Sequence, residues 1–184
     1  MGYSAEETAR KHDLILDQSI QLFKERGFTG VSVGEIMKAA GLTHGPFYNH
    51  FSSKDELIAE SIGTAMHRAA SKIEQYSADE EGKQAYLNLY LSDKHRDACG
   101  VGCIVAALAN DVRSTPAARE PFTKTVKGMV SKLASHFPWK NKKTARGEAI
   151  FTTSALVGAL ILARAVDDEA FSLELLEETK KRLK

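Results

Sequence analysis

The 184 residues hold 27% charged and 43% hydrophobic side chains with a formal net charge of +1, the balance of a soluble globular chain that can bury one sizeable core or two smaller ones. Charge alone gives no support for a nucleic-acid partner: residues 1–57 carry six Lys and Arg against eight Asp and Glu, so any polyanion contact must rest on where a few cations and helix ends lie. Cys99 and Cys103 set no disulfide framework and no apolar run follows a basic start, so the expected compartment is cytoplasmic and reducing.

In chain order, residues 1–5 are expected to be loose. Residues 6–26 read as a first long helix with Ile15, Ser19, Leu22 and Phe23 inward and Gly27 closing it. Arg10 and Lys11 near its start are within reach of a phosphate or are simply solvated surface. After a short connection, Ser32 and Glu35 have capping-box spacing, with Val31 and Ile36 as the hydrophobic staple. Val33, Ile36, Met37 and Ala40 then recur on one helical face, and Gly41 supplies the left-handed stop. Thr43 is expected to cap a second short helix with Pro46 in its first turn. Phe47 and Phe51, four apart, point inward and turn His44, Gly45, Tyr48, Asn49 and His50 outward. This pattern fits a helix-turn-helix that offers its second helix to a DNA major groove, and equally an ordinary helical hairpin in an all-helical core.

Ser53 and Glu56 repeat the capping-box spacing, so the next helix starts at Lys54 and carries Ile58, Ile62, Ala65, Ala69, Ile73 and Tyr76 inward. Residues 75–82, ending in Gly82, suit a loop; residues 83–91 form a helix with Tyr86, Leu89 and Tyr90; residues 93–102 are the least regular stretch. Cys103 opens an apolar helix. Thr115 and Pro116 begin another, with Phe122, Val126, Met129, Leu133 and Phe137 as its buried stripe and Pro138 as its end. Residues 144–166 are different in kind, since residues 150–163 contain no charge. Fourteen such residues fall short of the roughly 20 a bilayer span needs, so the helix has to be covered on several sides by protein. Ser154, Ala155, Gly158 and Ala159 allow a close neighbour, and with the last helix, residues 172–183, this segment reads as a subunit interface or as the centre of a monomer's core.

The run from Ile15 through Leu22-Phe23, Arg26-Gly27-Phe28, Ile36, Ala39-Ala40-Gly41, Thr43, Phe47-Tyr48, His50-Phe51 and Lys54-Asp55-Glu56-Leu57 resembles the N-terminal domain of the tetracycline-repressor (TetR) family of bacterial regulators. It covers about a quarter of the chain, and its joint spacing is specific. The resemblance implies an all-α fold of about nine helices: a three-helix helix-turn-helix domain over residues 1–53 and a helical effector-binding and dimerisation domain over residues 54–184. It further implies a homodimer, paired through residues 144–166 and 172–183, that binds a pseudo-palindromic double-stranded operator, most often as a repressor, and releases it when a small molecule occupies the second domain.

On that reading the DNA-contacting candidates are Ser32, Thr43, His44, Gly45, Tyr48, Asn49, His50 and Lys54. Asn49 and His44 suit base edges, Tyr48 and Lys54 suit phosphates, and Ser32 and Thr43 add phosphate bonds where their hydroxyls are not spent as caps. His50 and Tyr48 also fit as packing residues of the small domain. Effector-pocket candidates are Met66, Tyr86, Tyr90, Cys103, Phe122, Met129 and Phe151, set against the commoner role of such residues as plain core; no charged cluster in the sequence indicates the effector's chemistry. A thiol at a helix N-terminus is held toward its thiolate, so Cys103, with Cys99 as partner, is a candidate sensor of electrophiles, set against a buried inert cysteine. His95, Cys99 and Cys103 are spaced by fours, but Gly100 and Gly102 interrupt the helix and a fourth ligand is not evident, so neither metal nor cofactor is expected. The chain has no phosphate-cradling glycine loop, nucleophile elbow or HExxH helix, which argues against an enzyme. A protein-binding adaptor remains the other rival.

Overall fold

A computed structural model describes residues 4–183; of the loose start expected over residues 1–5, positions 1–3 lie outside them. Among the described residues the elements are nine α-helices and two 3-10 turns, without a strand.

Helix α1, Ala5–Arg26, is capped by Ser4, whose hydroxyl accepts from Glu7 N, and stops at Gly27 (φ +72°). Its inward face is wider than the predicted stripe, with Leu16 and Ile20 buried beside Ile15, Ser19 and Phe23 and Leu22 half-buried. Helix α2, Val33–Ala39, has the full capping box: Ser32 Oγ accepts from Glu35 N at 3.2 Å and Glu35 accepts from Ser32 N at 2.8 Å. Gly41 (φ +68°) turns the chain. The second short helix is a 3-10 turn, Gly45–Asn49, with His44 at its cap position and no side-chain cap bond, so Thr43 is not the cap. Pro46 stands in its first turn as expected.

Helix α3, Lys54–Ile73, begins where the spacing predicts, but its box is split. Ser53 Oγ accepts from Glu56 N, while the Glu56 carboxylate accepts from Ser52 N and Ser52 Oγ at 2.6 Å each. Ala69 is exposed and not inward, and Tyr76, beyond the helix end, is half-buried. Helix α4, Glu80–Tyr90, starts three residues before the expected start at residue 83, because Asp79 caps it by accepting from Gly82 N at 2.8 Å. Gly82 thus lies inside the first turn, where a Cβ would come 1.9 Å from Ser77 O. The irregular stretch is mostly ordered into α5, Asp93–Asp97, and a 3-10 turn, Cys99–Val101.

Helices α6, Ile104–Ser114, and α7, Pro116–His136, follow. Thr115 precedes α7 without a side-chain cap bond, and Phe122 and Val126 are only half-buried, whereas Met129, Leu133 and Phe137 are buried. Helix α8, Ala145–Ala165, and α9, Glu169–Arg182, close the chain; α9 starts before residue 172 because Asp168 caps it by accepting from Phe171 N at 3.0 Å.

Helices α1, α2 and the Gly45–Asn49 turn close around Phe23, Phe28, Phe47 and Phe51, each under 2% exposed, with Phe23 and Phe28 edge to face at 5.4 Å. Helix α3 leaves this head and packs along α7; α8 sits between α7 and α9. The corner is tied by Arg96 on α5, buried, which donates to Asp97, to Ser172 Oγ at 2.8 Å and to Glu169 at 3.0 Å. By length and composition α8 could cross a membrane. Yet Ala149, Thr152, Thr153, Leu156, Ala159, Leu160 and Ala163 face the protein's own interior, the covering that an uncharged helix requires. Ala159 is therefore core and not an outward small residue.

Candidate nucleic-acid interface and effector cavity

The outward side of the Gly45–Asn49 turn is built by its inward side. Phe47 is fully buried and Phe51 1% exposed; a five-residue turn anchored at both of them must point its intervening side chains away. Thr43, His44, Gly45 and Asn49 are exposed, and Tyr48 is 67% exposed with its ring against the edge of Phe47 at 5.2 Å and 6.4 Å from His44. The result is a short projecting face of imidazole, phenol and carboxamide, with donors and acceptors suited to base edges and phosphate oxygens. Gly45 meets no atom where a Cβ would stand, so its own chain gives no steric reason for a glycine there. Lys38, near the end of α2, is exposed on the same head.

Three members of the predicted set sit differently. Ser32's hydroxyl is spent, accepting from Glu35 N and donating to the Glu35 carboxylate at 2.8 Å. Lys54 bends inward and donates to the carbonyls of Phe28 and Val31 at 2.5 Å each, so its ammonium fastens the α1–α2 connection. His50 is half-buried, its ring tilted against Phe51 at 6.5 Å and His12 at 6.0 Å. Partial burial, with the charges of His12 and Lys11 adding, holds His50 below the usual imidazole range. A sequence signal for Lys54's inward turn does not exist, because the carbonyls it meets are backbone. Lys11 pairs with Glu7 at 3.0 Å and helps line a hollow of about 250 Å³ with Thr43, Asn49 and His50.

A larger cavity, about 590 Å³, opens between α1, α3, α4, α7 and the Cys99–Val101 turn. Met66, Tyr86, Tyr90, Cys103 and Met129 line it as expected. Phe122 and Phe151 do not: Phe122 is half-buried elsewhere on α7, and Phe151 is 62% exposed on the outer side of α8. Sequence reading missed the polar lining, Lys24 from α1, Arg68 and Lys72 from α3, and His95 from α5, because residues 71 positions apart become neighbours only through the fold. His95 Nδ1–H donates to Tyr90 O at 2.7 Å; burial above all, then Arg164, Lys24 and Lys72, holds its pKa down. Arg164 on α8 donates to the carbonyls of Arg96 and His95 at 2.8 and 2.9 Å. Cys103 is half-buried at the cavity wall, and Cys99 is half-buried with its thiol 3.7 Å from Arg96 O.

Cavity and head are joined by contacts on one strip. A Cβ at Gly100 would lie 2.5 Å from Glu25 and 2.9 Å from Gln21, so the turn that walls the cavity rests on α1. Asp111 on α6 accepts from Phe28 N at 3.3 Å, next to the carbonyl that Lys54 holds.

Residues 15–61 match the family model described as bacterial regulatory proteins, tetR family. The transcriptional regulator AcrR of Shigella flexneri is 48% identical over 30% of this chain and 25% of its own length, so the match spans about a quarter of that relative. The transcriptional repressor NemR of Escherichia coli K12 is 30% identical over 61% of this chain and 58% of its own. The crystal structure of reduced E. coli NemR superposes with a TM-score of 0.80, 95% of each chain covered and 19% identity, which shows a shared fold.

Proposed function

We propose, for a chain whose residues 15–61 match the family model of bacterial regulatory proteins of the tetR family, that it is a TetR-type, ligand-responsive DNA-binding transcriptional regulator that acts as a repressor. Two copies present two Gly45–Asn49 turns to successive major grooves of a pseudo-palindromic operator, and residues 1–53 act as the DNA-binding part while residues 54–184 hold the effector and pair the copies. The single observation that carries the reading is the projecting face of His44, Tyr48 and Asn49, clamped from behind by buried Phe47 and Phe51. The relatives named above are transcriptional regulators, which speaks against turnover. A cytoplasmic location goes with the same reading.

Release follows if an effector in the 590 Å³ cavity binds one arrangement of α1, α3 and the Cys99–Val101 turn better than the other. Cys103 at the wall offers a covalent version, in which an electrophile alkylates the thiol and fills the same space. A maleimide or quinone then modifies Cys103 and weakens operator binding; a Cys103→Ser protein that still responds in full would end that version.

The deciding experiment is selection of bound sequences from random duplex DNA. Enrichment of an inverted repeat, with affinity that falls steeply as salt rises, is the expected result. Recovery of no consensus, together with salt-independent retention of protein partners, would favour the adaptor reading instead.

A further inference from the structure

The 590 Å³ cavity has two unlike ends. Ile20, Ala65, Met66, Ile73, Ile104 and Met129 form an apolar end. At the other, Lys24, Arg68, Lys72 and His95 come together with Arg164 behind Gly102, where a Cβ would stand 2.9 Å from the Arg164 guanidinium and 3.2 Å from His95 Nε2. Most of the charges there have partners. Arg68 pairs with Asp17 at 2.6 Å, Glu25 accepts from Gln21 at 3.0 Å, and Arg164 is held by two carbonyls. Among the described residues, neither Lys24 nor Lys72 has an ion pair or a hydrogen bond from its ammonium. Lys24 is half-buried, and burial first, then the charges of Lys72, Arg68 and Arg164, pulls its pKa down against the opposing pull of Cys103. A half-buried cation crowded by other cations is destabilised until an anion arrives.

A second, independent feature stands in the same wall. Tyr90 is 6% exposed, and its hydroxyl makes no hydrogen bond of good geometry, with the Cys103 thiol close by as a weak potential partner. Burial, with the Cys103 thiol beside it, keeps the phenol well above its ordinary range and therefore protonated. A buried donor left unmatched costs free energy that a ligand acceptor would recover.

We propose that the effector cavity takes an organic anion, a carboxylate on an apolar body, with Lys24 and Lys72 against the carboxylate and the Tyr90 hydroxyl donating to a ligand oxygen. This deepens the effector reading given above and rests on it. The apolar end sets the body, and the volume lies within the range of small-molecule sites.

The test is calorimetric titration of the full-length protein with a medium-chain alkanoate and with the alkanol and alkylammonium ion of equal length, without DNA. The alkanoate is expected to bind at least about tenfold more tightly than either of the others. Lys24→Met should bring alkanoate and alkanol to within about twofold of each other while alkanol binding persists, which shows that the cavity is still formed. Lys72→Met, at an exposed position, should weaken only the alkanoate. Equal or tighter binding of the alcohol or ammonium ion, no measurable alkanoate binding, or a preference that survives Lys24→Met would overturn the proposal. Because no operator enters this measurement, a protein that prefers the alkanoate but selects no inverted repeat would sink the regulator reading alone, and an ammonium preference in a protein that does select one would sink only the anion.

Discussion

Lys54 shows how one side chain changes role once its surroundings are known. At a helix N-terminus beside a recognition element it reads as a phosphate contact, yet its ammonium donates to Phe28 O and Val31 O and holds the α1–α2 connection closed. Lys54→Met should therefore lower stability by about 1–3 kcal/mol, the range for losing a charged donor to partly buried carbonyls. The slope of operator affinity against salt should stay as it was, and chemical denaturation beside binding at several salt concentrations separates the two effects. His44 and Asn49 should behave in the opposite way. Each is exposed, so alanine there leaves stability within about 0.5 kcal/mol but changes the selected base at one position of each half-site, worth about 1–3 kcal/mol of discrimination. Preserved base preference in both variants would move the contact face elsewhere.

The two histidines with lowered pKa values make stability pH-dependent in one direction. Burial disfavours the protonated form of His50 and His95 in the folded protein, so the folded state binds fewer protons than the unfolded one as pH falls below the ordinary imidazole value. Their neutral forms cost nothing above about pH 6.5; stability is then lost progressively as pH drops toward the folded-state values. His95→Gln should flatten this fall in melting temperature between neutral and mildly acidic pH, and an unchanged curve would assign the loss to other groups.

At the scale of elements, what could be read in advance was whatever local chemistry dictates. Ser32 with Glu35, Gly41, Pro46 and the Phe47–Phe51 pair act over a few residues, and the structure places each as the spacing requires. Thr43 failed as a cap because the segment it precedes is a 3-10 turn beginning from a helical His44. Gly82 misled for a related reason: glycine signals a stop when only propensity is considered, but here its lack of a Cβ lets Ser77 O approach the first turn of α4. Gly82→Ala should consequently destabilise α4 by more than the helix-propensity gain of about 1 kcal/mol that alanine otherwise brings. The basic end of the cavity was illegible because Lys24, Lys72, His95 and Arg164 come from four separate segments, and no periodicity within one of them records the meeting.

Coupling between cavity and head depends on contacts between elements distant in sequence. Asp111 on α6 reaches Phe28 N at 3.3 Å, and a Cβ on Gly27 would stand 2.5 Å from the same carboxylate. On the proposed reading, an effector that shifts the Cys99–Val101 turn against α1 would act on the loop that carries α2. Asp111→Ala should cost about 1–2 kcal/mol of stability and, more tellingly, reduce the change in operator affinity produced by a saturating ligand. An undiminished change would place the coupling in the α3 rod instead.

At the scale of the whole molecule, the outer side of α8 is left exposed by its own chain. Phe151 is 62% exposed and Leu162 53%, with Ile150 and Ile161 beside them and Ser154 between. Gly158 on that side meets no atom where a Cβ would stand, so its own chain gives no reason for a glycine there. Phe171 and Leu173 on α9 are exposed as well, at 47% and 39%. A contiguous patch of this kind around small residues suits a second copy, related by a two-fold axis that lays α8 against α8. Pairing would also fix the separation of the two Gly45–Asn49 turns and make binding of the second half-site intramolecular. The double substitution Phe151→Asp, Leu162→Asp places charges only on the outer side, leaving the inward residues of α8 untouched. It should yield a protein with undiminished helical circular dichroism that sediments as a monomer and binds its operator about 10²–10⁴-fold more weakly. Dimers that survive the double substitution would show that the copies meet through another surface. Monomers with unweakened operator binding would show that one head is enough, and the two-fold argument for a palindromic site would then go with it.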